Sequence, residues 1–150
     1  FDVARCAFMA EDWFDALVSD TRVIRSPPKI RAIQANAAFI QAVSEEAGSF
    51  GAKIAAWPSS DFAGLALWLK AEGARLGGST GPYLLRAMGQ DGYILSKDVT
   101  ARLIAEGLID KAPTSVRAMK AVQSAFDTWA AESGASLSVI SRVLAKSIDA

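Results

Sequence analysis

Histidine is absent from this 150-residue chain, and cysteine occurs once, as Cys6. The first absence removes the commonest metal ligand and the commonest general base together, which argues against zinc chemistry and against Ser-His-Asp or Cys-His nucleophilic mechanisms. The second rules out an intramolecular disulfide. Charge of either sign is not in excess, since Lys+Arg 16 balances Asp+Glu 16. Any binding of nucleic acid must therefore rest on a local patch or on backbone amides, not on the charge of the whole surface. No apolar run approaches the roughly 20 residues of a membrane span, and the N-terminus lacks the basic, apolar and small-residue regions of a signal peptide. The expected location is the cytoplasm, with no membrane partner. An initiator methionine is also lacking: the chain opens at Phe1 and runs directly into a helix-like stretch, as a fragment or processed product would.

What is present is a composition 51% hydrophobic, enough for the core of one domain. No repeat interrupts the chain, and its punctuation cuts it into segments of helical length with little room for strands, so the expected fold is all-α. Ala10 to Ser19, with Trp13, Phe14 and Leu17, reads as a short amphipathic helix. Ser26-Pro27-Pro28 announces a helix from Lys29 to about Ala47, with Ile30, Ile33, Ala37, Ile40 and Val43 at helical spacing and Gly48 as its stop. Trp57-Pro58-Ser59-Ser60 is a break, and Ser60 is the expected N-cap of a helix carrying Phe62, Leu65, Leu67, Trp68 and Leu69 to about Gly73.

A short helix through Tyr83, Leu84 and Met88 is closed by Gly89, and Asp91-Gly92 marks a turn. Ser96 is the expected N-cap of Lys97 to Glu106, with Val99, Leu103 and Ile104 inward. Pro113-Thr114-Ser115 opens a helix striped by Val116, Met119, Val122, Phe126 and Trp129. Ser136 caps the last, with Leu137, Ile140, Val143, Leu144 and Ile148. These stripes are core, and Trp57 and Trp68 either join it or line a pocket near the glycine turn.

That turn, "RLGGSTGPYLLRAMG" from Arg75 to Gly89, is the most specific stretch. A P-loop needs a lysine after its last glycine, and here Pro82 follows Gly81. A dinucleotide fingerprint needs a preceding strand, which the pattern does not supply. A helix-hairpin-helix fits the order, with its hairpin within residues 61–89: one helix ends, the turn bares consecutive amides, and the next helix points its positive end at a phosphate. Gly77, Gly78, Ser79, Thr80 and Gly81 are then the candidate phosphate contacts. A plain connection between two packed helices satisfies the same pattern. Arg22, Arg25, Lys29 and Arg31 form a basic cluster with no acid among them, either a phosphate-facing patch, with Arg25 and Lys29 as its DNA-binding members, or a solvated helix entrance. Asn36, beside the apolar stripe, is expected to bond a neighbouring loop backbone.

"RVIRSPPKIRAIQANAAFI", "ARLGGSTGPYLLRAMG" and "YILSKDVTARLIAEGLIDKAPTS" together resemble the C-terminal two-thirds of the 3-methyladenine DNA glycosylase I family, of the helix-hairpin-helix glycosylase superfamily. The resemblance runs over nearly the whole chain as a single helical domain, 1–150. It implies base excision repair: an alkylated purine is extruded from double-stranded DNA and its N-glycosidic bond is hydrolysed. It also implies an aspartate at the start of the helix after the hairpin, supporting the cationic sugar. Asp98 lies in that segment, with Ser96 the alternative register, and an ordinary first-turn carboxylate beside the helix dipole is the competing reading of Asp98.

Ser79 and Thr80 stand where lyase members of the superfamily place a lysine, which implies monofunctional hydrolysis without a cofactor. The best-known branch of the family holds zinc with Cys and His, so a chain without His would belong to a zinc-free branch. In the family the main pocket carboxylate and aromatics precede the matched region, and so would lie before Phe1. The alternatives are a non-catalytic DNA-binding helical module and a helical protein-interaction domain.

Overall fold

The computed structural model describes residues 2–148. Among them the chain is helical and carries no strand, in agreement with the expected all-α class. In order it forms α1 (Val3–Ala7), α2 (Glu11–Ser19), α3 (Pro27–Ala47), α4 (Phe50–Ala55), a 3-10 turn (Ser59–Asp61), α5 (Phe62–Glu72), α6 (Thr80–Ala87), α7 (Lys97–Ala105), α8 (Val116–Ser133) and α9 (Leu137–Lys146). No helix among the described residues is long and apolar enough to cross a membrane.

Most of these boundaries follow from local capping chemistry. The hydroxyls of Ser96, Ser115 and Ser136 accept from the N–H groups of Val99, Ala118 and Val139 at 3.2, 3.2 and 3.3 Å, each satisfying a first-turn donor that the helix cannot. α5 is capped differently from the expectation. The intervening 3-10 turn moves the cap from Ser60 to Asp61, whose Oδ1 accepts from the Gly64 N–H at 3.0 Å. α4 is a helix that periodicity does not reveal. Gly48 does stop α3, but Ser49 at once caps a new helix through the Ala52 N–H (2.9 Å), too short to display a stripe.

The core is built around α5, where Phe62, Ala63, Leu65, Ala66 and Leu69 are all buried. A helix apolar on most sides belongs in the interior, and each such large side chain contributes roughly 1.5–3 kcal/mol by leaving water. Around it Tyr93 stacks on Phe126 (centroids 4.3 Å) and meets Phe62 edge-on (4.9 Å). The Tyr93 hydroxyl donates to Gln123 Oε1 (3.1 Å), which also accepts the Ala63 N–H (2.9 Å). Burial, with the charges of Asp127 and Asp61 behind it, raises the Tyr93 phenol well above its ordinary value, so it stays a donor.

Stripe edges depart from the expected inward set. Ile33, Ile104, Val116, Val143 and Ile148 are exposed, because apolar spacing marks a helix face without fixing how much of it a neighbour covers. Nor is Asp91-Gly92 a turn: residues 90–96 are irregular and extended, and Gly92 is there because any Cβ would stand 2.0 Å from the Phe62 ring. α9 supplies the partners that a sheet neighbour would otherwise give this segment. Asp91 accepts from the N–H groups of Leu137 and Ser138 (2.9 Å each), Ser138 Oγ donates to the Gly92 carbonyl (3.0 Å), and Ser141 Oγ accepts from the Ile94 N–H (3.0 Å).

Candidate nucleic-acid interface

The connection from α5 to α6 begins where the Gly73 N–H closes α5 on the Leu69 carbonyl (2.9 Å). Two residues on, Arg75 takes a left-handed conformation (φ 60), which costs a non-glycine residue energy and turns the chain sharply. What holds it is Asn36 of α3. Its side-chain amide donates to the Ala74 carbonyl (3.0 Å) and accepts the Ala74 N–H (2.7 Å), the loop-fastening role expected from its place beside the stripe.

Beyond this anchor the amides divide. The Thr80 N–H donates to the Gly77 carbonyl (3.3 Å) and the Gly81 N–H to the Leu76 carbonyl (3.1 Å). The N–H groups of Gly77, Gly78 and Ser79 donate to no protein acceptor among the described residues. These open amides sit together at the positive end of α6. Gly78 is left-handed (φ +61) with nothing within 4 Å of a Cβ, so its outer side is clear. At Gly77 a Cβ would stand 3.3 Å from Lys70 Cγ, because the Lys70 stem runs along the loop. Gly81 plays a packing role instead. It is buried, its amide is committed, and a Cβ would stand 2.6 Å from the Leu76 carbonyl oxygen. Its absence of a side chain lets α6 start against the loop.

Between α3 and this loop lies a groove of about 670 Å3, lined by Lys29, Ile33, Asn36, Arg75, Gly77 and Thr80 among others, with no acidic side chain. The fold thus brings Lys29, distant in sequence, to the glycine turn. The basic cluster expected around it divides in two. Arg22 pairs with Asp20 (2.7 Å), and that guanidinium pulls the Asp20 carboxyl down to about 2. Arg31 pairs with Glu11 and lies 3.6 Å from the Phe14 ring centroid. Arg25 and Lys29 are exposed and belong to no ion pair among the described residues, and of the two Lys29 lines the groove while Arg25 does not.

Asp98 is exposed in the first turn of α7, behind the cap Ser96, and lines neither this groove nor the apolar cavity beside α5. Trp57 and Trp68 pack on each other (5.5 Å), and Trp68 on Phe39 (5.1 Å), so of the two readings they take the core one. Arg75 and Lys70 are members of the neighbourhood that sequence reasoning does not single out. For Arg75 a signal exists, since an arginine directly before a glycine turn moves with it. For Lys70 there is none, because only the packed turn lays its stem along Gly77.

No protein of curated function and no solved structure matches the chain. Residues 1–63 match the methyladenine glycosylase family model, a stretch that includes Arg25, Lys29 and Asn36 and ends at the start of α5, so this part of the chain is similar to the helical DNA glycosylases of that family.

Proposed function

We propose that the chain is a helix-hairpin-helix protein of base excision repair that grips a DNA backbone phosphate with the amides of Gly77, Gly78 and Ser79, with Arg25 and Lys29 beside them. The observation that carries this reading is a groove that no carboxylate lines, on which Gly77 with its open amide, the start of α6, Lys29 and Arg75 meet, with the open amides of Gly78 and Ser79 next along the turn. Amides at a helix start bind an oxyanion without any excess of positive charge, which suits a chain of zero net charge. The family match at residues 1–63 supports the repair context and the substrate class, an alkylated purine in double-stranded DNA.

In that reaction water adds to the sugar carbon as the bond to the base breaks, and positive charge develops on the sugar. Asp98 is the carboxylate we assign to face that charge, and with no lysine in the hairpin the reaction ends at base release. One observation favours the non-catalytic DNA-binding reading instead: Asp98 does not line the groove.

Fluorescence anisotropy with labelled duplexes tests the grip. A methyl at Gly78 enters open space, so Gly78→Ala should stay folded and bind every duplex sequence several-fold more weakly, since phosphate contacts carry no base information. Unchanged binding by the folded variant removes the hairpin from the interface. Release of methylated bases from alkylated DNA by the wild type, and its loss in Asp98→Asn, tests the chemistry. Binding without release leaves the DNA-binding module.

A further inference from the structure

A second cavity, of about 200 Å3, lies between α5, the hairpin, the extended segment and the loop before α8. Its deep wall consists of Phe62, Ala66, Pro82, Tyr93 and Met119, all buried, while Lys70, Gly78 and Thr114 at its mouth are exposed. No acidic side chain lines it, and Lys70 belongs to no ion pair among the described residues. Protein interiors seldom leave a hole much larger than a water molecule, and an apolar hole of roughly 150 Å3 stays dry and admits benzene.

We infer that this cavity binds a small aryl carboxylate, its single ring against the apolar wall and its carboxylate at the mouth between the Lys70 ammonium and the Gly78 amide. The deep wall selects the ring. The Tyr93 hydroxyl is already donating to Gln123, which leaves the half-buried Thr100 hydroxyl to meet a polar ring, so a nitrogen-rich ring such as a purine would bury most of its donors and acceptors without partners. The mouth selects the charge, because an ammonium and an open amide together favour a carboxylate over a neutral group. Lys70 and Gly78 also frame the hairpin, so such a ligand and a DNA phosphate exclude one another. This last consequence rests on the DNA reading above, whereas the cavity assignment does not.

Calorimetric titration of the full chain with phenylacetate tests the assignment, with 2-phenylethanol and adenosine monophosphate as comparison ligands. Phenylacetate should bind at least tenfold more tightly than either. Lys70→Met, a surface change, should lower its affinity about tenfold and Lys70→Arg should retain it. Ala66→Leu, which fills the deep wall, should abolish binding. Should Ala66→Leu not fold, the lysine pair decides the matter. Absence of phenylacetate binding, equal binding by Lys70→Met, or tighter binding of either comparison ligand overturns the inference. A separate arm titrates phenylacetate into a complex with labelled duplex, where displacement by the wild type but not by folded Ala66→Leu is expected. Phenylacetate binding by a chain that takes up no DNA at low salt would sink the DNA reading and leave the cavity site standing, and DNA binding without phenylacetate binding would do the reverse.

Discussion

Residues 73–79 and residues 90–96 are irregular stretches of equal length, and the chain treats them in opposite ways. The later one is stitched to α9 by Asp91, Ser138 and Ser141, side chains that take up its backbone groups and one helix start at once. The earlier one is bonded to a distant helix at Ala74, by Asn36, and to its own flanking helices through Gly73 and the Leu76 and Gly77 carbonyls, while the amides of Gly77, Gly78 and Ser79 meet no protein acceptor among the described residues. Buried backbone groups must find partners inside the protein, whereas groups at the surface can wait for water or a ligand. The stitched stretch is therefore part of the scaffold. The open one is a surface held ready by the scaffold, and the cations lie beside it.

The largest effect should come from loading the stitched segment. Gly92→Val drives a side chain into the Phe62 ring, which a Cβ alone would approach to 2.0 Å, and should cost about 3 kcal/mol in urea unfolding, the upper end of overpacking penalties. Gly78→Ala, in the open connection, should cost about 1 kcal/mol for its left-handed backbone and nothing for contact. Equal costs at the two glycines would break the comparison.

Asn36→Ala cuts the tie between the open connection and α3, leaving the Ala74 N–H and carbonyl unpaired in a half-buried place. A loss of about 1–3 kcal/mol is expected, together with weaker DNA binding, because the amides are no longer held in a common arrangement. Full stability in that variant would mean that Arg75 and Leu76 hold the loop unaided.

Asp91→Ala removes a cap on α9 and should cost about 1 kcal/mol at neutral pH. Burial pushes the Asp91 carboxyl up, but hydrogen bonds from Ser138, Leu137 and Gly92 outweigh it and hold the group below its ordinary value. A depressed folded value means that the carboxylate's contribution is complete above the unfolded pKa of about 3.9 and drains as pH falls through the folded value. Denaturation curves of the wild type and Asp91→Ala should thus converge on acidification below about pH 4. A gap that persists at low pH would assign the loss to packing.

The smallest effect lies outside stability. Lys29→Ala should lower the salt slope of log affinity for DNA by about one, while Arg22→Ala, whose partner is Asp20, should leave it unchanged. Equal slopes would return Lys29 to solvent.

Legibility in the sequence follows the range of the interaction. Caps at Ser96, Ser115 and Ser136 act over three residues, and those helix starts stand where the serines announce them. α4 is invisible to periodicity because a helix from Phe50 to Ala55 is too short for a period to repeat. Asp91-Gly92 reads as a turn because the dipeptide carries the composition of one, while its real partners, Phe62 and α9, are distant in sequence. Asn36 announces a role, but nothing local names Ala74 as its partner. Within the basic cluster, spacing puts Arg22, Arg25, Lys29 and Arg31 together, yet it cannot show that Asp20 and Glu11 claim the first and the last.

By itself the sequence determined that the chain is helical, that it has neither an intramolecular disulfide nor a histidine, and that a glycine turn separates two helices around residues 73–79, because composition, capping and steric freedom are properties of a few adjacent residues. Tertiary structure alone decided which hairpin amides remain open, which cations remain unpaired, and that Lys29, Arg75 and Gly77 share one groove, because each of these depends on the partner that packing delivers to a group from the far side of the chain.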